Sequence, residues 1–148
     1  MSQSKEDIIH DLNTLLQGTH MGSSTFMEYC NATQSKELKN TLNHALTIFR
    51  KHEEALMQHL KSLEEKQSEN NSLGSFFAEF FEKIKAELAN NDRTLLDYAI
   101  RGIDMALKAV QDFKKKHHGL QQDLLDAVND MEKDYRKIYQ DLIDLKLE

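Results

Sequence analysis

Apolar residues recur every three or four positions along most of this chain, the spacing of one face of an α-helix. In the first segment Ile8, Leu12, Leu15, Leu16, Thr19, Phe26 and Tyr29 draw a single stripe, which predicts a helix over about residues 4–31. The polar stretch Asn31-Ala32-Thr33-Gln34 interrupts it, and a second stripe follows at Leu38, Leu42, Ala45, Phe49, His52, Leu56, Leu60 and Leu63. So short a link makes the two helices antiparallel neighbours. A third stripe, Leu96, Ile100, Ile103, Leu107 and Val110, predicts a helix over about 93–116. His117-His118-Gly119 reads as a turn, after which Leu120, Leu124, Ala127, Met131, Ile138, Leu142 and Leu145 carry a fourth helix toward the C-terminus.

Between the second and third stripes residues 64–72 are polar and Gly74 follows, which breaks the pattern. Phe76, Phe77, Phe80, Phe81, Ile84 and Leu88 then mark one side of a shorter helix that Asn90-Asn91-Asp92 stops. Short, long and short connections predict an all-α, up-and-down four-helix bundle with one crossover between helices two and three. The expected organisation is one domain over 1–148, with helical hairpins at about 4–66 and 93–148 and the crossover at about 67–92. A length of 148 residues suits one core, and the absence of proline leaves little to interrupt helix propagation.

The two halves echo each other. Leu16-Gln-Gly18-Thr19-His20-Met21 aligns with Ile100-Arg-Gly102-Ile103-Asp104-Met105 at an offset of 84. The second stripe aligns with the fourth at an offset of 82, from Leu38 on Leu120 to Leu63 on Leu145. Two hairpins of one design are what these offsets describe.

Charge narrows the partners. The 19 basic and 25 acidic residues give −6, spread along the chain, so a phosphate backbone is repelled more than gripped and nucleic acid is not an expected partner. The single cysteine, Cys30, stands at helical spacing from Phe26, where a thiol is more often a small core hydrophobe than a nucleophile. The N-terminal residues 1–7 are polar and no window reaches the ~20 apolar residues of a bilayer span, so no transmembrane segment and a cytoplasmic setting are expected.

The segments Leu12-Asn-Thr-Leu-Leu-Gln-Gly-Thr-His-Met21 and Arg101-Gly-Ile-Asp-Met105 resemble the first and third helices of small bacterial ferritin-like proteins, the rubrerythrin-like and uncharacterised members. With the helix order, the resemblance covers about residues 8–147. It implies a ferritin-like layout. In that superfamily a Glu on each of helices one and three, and a Glu-x-x-His on each of helices two and four, cage two metal ions. Carried onto this chain, the helix-one and helix-three positions fall on Thr19 and Ile103, the helix-two motif on Phe49-Arg-Lys-His52 and the helix-four motif on Met131-Glu-Lys-Asp134. Four of those six positions, Thr19, Phe49, Ile103 and Met131, hold no metal-ligating group. An offset of 83 instead puts Glu132-Lys-Asp-Tyr135 on helix four and restores one carboxylate. The resemblance therefore implies a degenerate di-metal site, with no catalytic residues and no cofactor expected.

An atypical metal site is the alternative, for iron, manganese or zinc around His52, with Asp134, His59 and Glu132 as its candidate ligands. His59 follows His52 by seven residues and lies near the same face, although two histidines without a third ligand are more often structural. His52-Glu53-Glu54 is not a zinc-protease helix, because Leu56 stands where the second histidine belongs. His117-His118 is expected to close helix three, where imidazoles meet the negative end of the dipole, and Lys114-Lys115-Lys116 reads the same way. His10, His20 and His44 are expected at the surface. His52 and Asp134, the polar survivors of the cage, are expected to bond directly or through water, the carboxylate raising the imidazole pKa. On that arrangement, removing His52 leaves an unpaired charge at a cost of about 3 kcal/mol. If helix four is shifted by one residue, Tyr135 turns inward and becomes the partner. The other four positions are expected to fill the cage level with side-chain volume.

The expected function is therefore non-enzymatic, by protein–protein interaction or self-association, with a homo-oligomer or a protein partner. Phe76, Phe77, Phe80, Phe81 and Ile84 form the candidate interaction surface; four phenylalanines in six residues bury on the order of 600 Å². The plainer reading packs this face on its own bundle, and a membrane-surface role ranks behind both because Glu79, Glu82 and Glu87 share the polar face. Either packing keeps the rings out of water. Phe80→Asp and Phe81→Asp should therefore lower the melting temperature or split an oligomer; a variant with both melting temperature and solution mass unchanged would contradict this surface.

Overall fold

A computed structural model describes residues 5–63 and 91–147 of the chain. Every regular element among them is α-helix: α1 (Lys5–Ala32), α2 (Lys36–Leu63), α3 (Asp92–Lys116) and α4 (Gln122–Ile143). The expected crossover helix, with Phe76, Phe77, Phe80, Phe81 and Ile84, lies outside the described residues.

Local chemistry sets the boundaries. Ser35 caps α2, its Oγ accepting from the Leu38 N–H at 3.1 Å. Asn91 caps α3, its side chain accepting from the amides of Arg93 and Thr94. At the other end of α3 the backbone N–H of His117 donates to the Phe113 carbonyl, and Gly119 then takes a φ of 79°, a left-handed turn that suits glycine. No described helix is long and apolar enough to cross a membrane.

α1 packs chiefly on α2 and α3, and α4 on α3 and α2. Cys30 donates to Asn43 at 3.1 Å and His20 meets Glu53 at 2.7 Å, so α1 and α2 run antiparallel. Asp92, opening α3, accepts from the Thr33 hydroxyl at 2.6 Å and the Gln34 amide at 2.9 Å, in the turn after α1. His117, just past the end of α3, meets Asp11 near the start of α1. α3 is therefore also antiparallel to α1, and α2 ends at the opposite end of the array from the start of α3.

One core draws on all four helices. The second stripe is inward as expected, with Leu63 half-buried. In α1 Ile9 takes the interior place expected of Ile8, which is half-buried; in α3 Leu95, Ala99 and Phe113 join the core while Ile100 and Leu107 lie at its margin. α4 keeps Leu124, Met131, Ile138 and Leu142 inward as expected, but its buried face is centred slightly to one side of the expected stripe. Val128 and Tyr135 are 0% and 1% exposed, whereas Ala127 and Asp134 are half-buried. The larger side chains win the interior because burial scales with apolar area.

Phe49 depends on a missing side chain. A Cβ on Gly22 would stand 2.9 Å from Cε1 of Phe49, closer than van der Waals contact, so α1 presents bare backbone to the ring. A Cβ on Gly102 would meet Phe26 at an ordinary 3.6 Å. Gly22→Ala should thus destabilise the fold by about 1–3 kcal/mol through overpacking. Gly102→Ala should stabilise by about 0.5–1 kcal/mol through helix propensity. Equal denaturation midpoints for the two variants would refute the Gly22–Phe49 contact.

Candidate functional site

Phe49, Ile103 and Met131 are each 0–1% exposed, and the Thr19 hydroxyl, 3% exposed, donates to the Leu15 carbonyl at 2.8 Å. The Phe49 ring contacts Phe26 at 5.1 Å between centroids and Tyr135 at 5.2 Å. Tyr135 in turn stands edge-on to His52 at 5.7 Å. A chain of aromatic rings thus links α1, α2 and α4 through the middle of the array.

His52 and Asp134 do meet. His52 Nε2 lies 2.7 Å from Asp134 Oδ2, and because an ionised carboxylate only accepts, Nε2 carries the proton. Both sequence-level outcomes for α4 hold together: Tyr135 turns inward and Asp134, at the margin, keeps its bond to His52. Lys51 donates to the same Oδ2 at 2.9 Å from the solvent side. The expected rise in the His52 pKa is overturned. Burial of a ring 3% exposed holds its pKa below the ordinary value, outweighing the opposing bond to Asp134, and the Lys51 charge adds to the depression. Asp134 is pulled below its ordinary value because Lys51 and His52 together outweigh its partial burial.

A second cluster repeats this chemistry where sequence reasoning saw only a helix end. His117 is buried and its Nε2 donates to Asp11 Oδ2 at 2.7 Å, while Lys116 reaches the same oxygen at 2.9 Å. In each cluster a consecutive Lys-His pair closes on one carboxylate oxygen of an adjacent helix, α2 onto α4 and α3 onto α1. Burial opposes ionisation of Asp11, but its bonds to Lys116 and His117 hold its pKa below the ordinary value. The Nδ1 of His117 is buried without a partner. Two signals for this cluster lie in the sequence: the Lys-His dipeptide recurs at 51–52 and 116–117, and Asp11 stands three after Ile8 and four before Leu15.

The other candidate ligands lie elsewhere. Glu132 accepts from Lys114 at 2.6 Å, Arg136 at 2.9 Å and Gln111 at 3.3 Å, which ties α3 to α4 rather than to His52. Its pKa is lowered, first by Lys114. His59 is half-buried, His10, His20 and His44 are exposed, and Cys30 is buried. Among the described residues no three His, Cys, Asp or Glu side chains are grouped to hold a metal ion.

Thr19, Phe49, Ile103 and Met131 are all buried at the cage level, and to one side of it the interior is open. Beside Thr19, Phe49 and Tyr135 a cavity of about 380 Å³ opens between α1 and α3, partly exposed to solvent and walled almost wholly by carbon. Gly18 and Gly22 on one helix and Gly102, Ala106 and Ala109 on the other leave no side chain to fill it. Tyr29 and Tyr135 stand in its walls, each 1% exposed, with their hydroxyl oxygens buried; that of Tyr29 has no hydrogen-bond partner and that of Tyr135 has Thr19 as its neighbour. Burial raises the pKa of both, with Thr19 opposing the rise at Tyr135.

Helix pattern and site geometry define an all-α protein of four packed helices with two Lys-His-Asp clusters and a side-opening apolar cavity. The chain belongs to the family described as "Domain of unknown function (DUF2383)", whose model matches residues 7–116. That match takes in α1, α2 and α3 and ends at Lys116 of the second cluster. Neither a curated protein nor a solved structure matches the chain.

Removing His52 should cost less than the 3 kcal/mol expected from sequence, because Lys51 still pairs with Asp134; about 1 kcal/mol, one hydrogen bond, is expected for His52→Leu. The pH dependence has a definite sign. With the folded-state pKa of His52 below 6.5, the unfolded chain takes up the proton first, so stability is whole above that value and falls as pH drops through it. Asp11 and Asp134, held below 3.8, add a further loss in stronger acid. Denaturation midpoints should fall between about pH 7.5 and about pH 5 in the parent and much less in His52→Gln. Parallel curves for the two proteins would refute the assignment.

Proposed function

We propose that this chain is a ferritin-like bundle that has lost its di-metal cage and acts without catalysis, through interaction with a protein partner or with another copy of itself. The observation that carries the reading is the state of the cage positions. Phe49, Ile103 and Met131 stand there almost wholly buried, so carbon occupies the level at which ions would be held. The two polar positions satisfy each other, with the Lys51 ammonium already on the Asp134 oxygen that a cation would need. The helix directions suit a ferritin-like layout with a long crossover and a short extra helix, and a cytoplasmic setting belongs to the same reading.

Metal analysis of protein purified without a tag tests the loss of the cage. Iron, manganese and zinc should all be far below one per chain. Near-stoichiometric metal that His52→Ala removes would overturn the reading in favour of a metal-binding protein with an atypical site. Sedimentation across a range of concentrations tests self-association, which requires a mass above that of one chain.

A further inference from the structure

A groove runs along the outside of the first hairpin. On α1 its residues recur at three- and four-residue spacing from His20 through Ser23, Ser24 and Met27 to Glu28, and on α2 from Arg50 through Glu53 and Glu54 to Met57. The pairing of His20 with Glu53 and of Cys30 with Asn43 fixes the level of one helix against the other. Met27 therefore stands opposite about residue 46 and Met57 opposite about residue 16, which sets the two about 16 Å apart along the groove at the helical rise per residue. Between them Ser23 and Ser24 are too short to fill the floor. The groove is thus about three helical turns long, with a methionine at each end.

Two observations say what chemistry fits it. Met27 and Met57 are 40% and 53% exposed, and with Met105 and Ile143 they are the large apolar side chains most open to water among the described residues. A thioether on an unbranched stem moulds itself to the apolar side chain it meets, and grooves that accept amphipathic helices use methionine in this way. Charge supplies the second observation. Glu28, Glu54 and Arg50 form no ion pair among the described residues, and Glu53 has only His20. Between α3 and α4, by contrast, Lys114, Arg136 and Gln111 all close on Glu132. Three carboxylates against Arg50, counting His20 as neutral, leave the groove with a negative balance. Such a face repels an anionic lipid surface, a phosphate backbone and a second copy set symmetrically on the same groove. It attracts a segment that carries lysines or arginines beside its apolar residues.

We infer that the outer groove between α1 and α2 docks a basic amphipathic helix of a partner protein, with apolar side chains on Met27 and Met57 and cations on Glu28 and Glu54. This surface rests on the interaction reading above and selects a protein partner over self-association.

Fluorescence anisotropy of a fluorescein-labelled model helix of about four turns, leucine on one face and lysine on the other, tests it against the full chain. The helix should bind, less tightly as salt rises, and its counterpart with glutamate in place of lysine should not. Glu28→Lys with Glu54→Lys should weaken binding roughly tenfold, and Met27→Ser with Met57→Ser about as much, with helical content unchanged in circular dichroism. Asp126→Lys with Asp130→Lys, on exposed positions of α4, makes the same change in net charge and should cost far less. Equal losses for the two charge-reversed chains would reduce the effect to net charge and overturn the proposal. Binding indifferent to the methionine substitutions, or no binding by the parent, would overturn it as well. Loss of binding in the α4 variant alone would place the helix elsewhere, so that the groove falls while the interaction reading stands. A dimer in sedimentation that the model helix takes apart would give the groove to a second copy of the chain and also overturn it.

Discussion

The ring of Phe49 pressed onto the bare backbone of α1 at Gly22 is the contact on which the rest of the interior depends. It brings α2 close enough to α1 for Phe26 and Phe49 to meet at a centroid distance of 5.1 Å, and it offers Tyr135 a face at 5.2 Å. Once Tyr135 is drawn onto that face, the register of α4 follows, because neighbouring residues on a helix point about 100° apart. Asp134 is then left at the margin of the core, where it can take a proton donor from the interior and a cation from the water at once. The position of the carboxylate is a by-product of aromatic packing.

The two Lys-His-Asp clusters share one arrangement. Consecutive residues on a helix normally diverge, yet a long lysine can bend back along the surface while the histidine ahead of it points inward. Both then reach one oxygen on the facing helix. In each cluster the lysine supplies the carboxylate with a compensating charge from a place where hydration costs it little. His52 sits beside a carboxylate and is nonetheless harder to protonate than a free imidazole, first because its ring is buried and then because the Lys51 charge stands beside it.

The helices were legible because their stripes are long and uninterrupted: α2 agrees with its pattern almost residue for residue. The α4 register was harder. Ala127 and Val128, or Asp134 and Tyr135, are adjacent choices that periodicity weighs nearly alike, and the size of Tyr135 decides between them only once Phe49 is in place. The His52–Asp134 pair was legible from its level in the two hairpins, but the direction of the histidine's pKa was not, since that depends on how completely the ring is buried, with Lys51 adding to the effect. His117 was read as a turn residue closing α3, because spacing at a helix end says little about direction, and the pattern of the first stripe did not single out Asp11 as its partner. The cavity was invisible for a different reason. Glycine and alanine in a stripe predict close approach, and nothing in one sequence reveals that two such faces remain apart.

The polar ties between the hairpins also have a kinetic meaning. Cys30 and Asn43, or His20 and Glu53, close within one hairpin over 13 and 33 residues, whereas Thr33 with Asp92, His52 with Asp134 and Asp11 with His117 span 59, 82 and 106. Loop closure over the longer spans carries the greater entropic cost. The expectation is a chain whose hairpins zip early and whose docking comes last, with the two histidine clusters still open in the rate-limiting step. Their strength then governs how slowly the assembled protein comes apart far more than how fast it assembles.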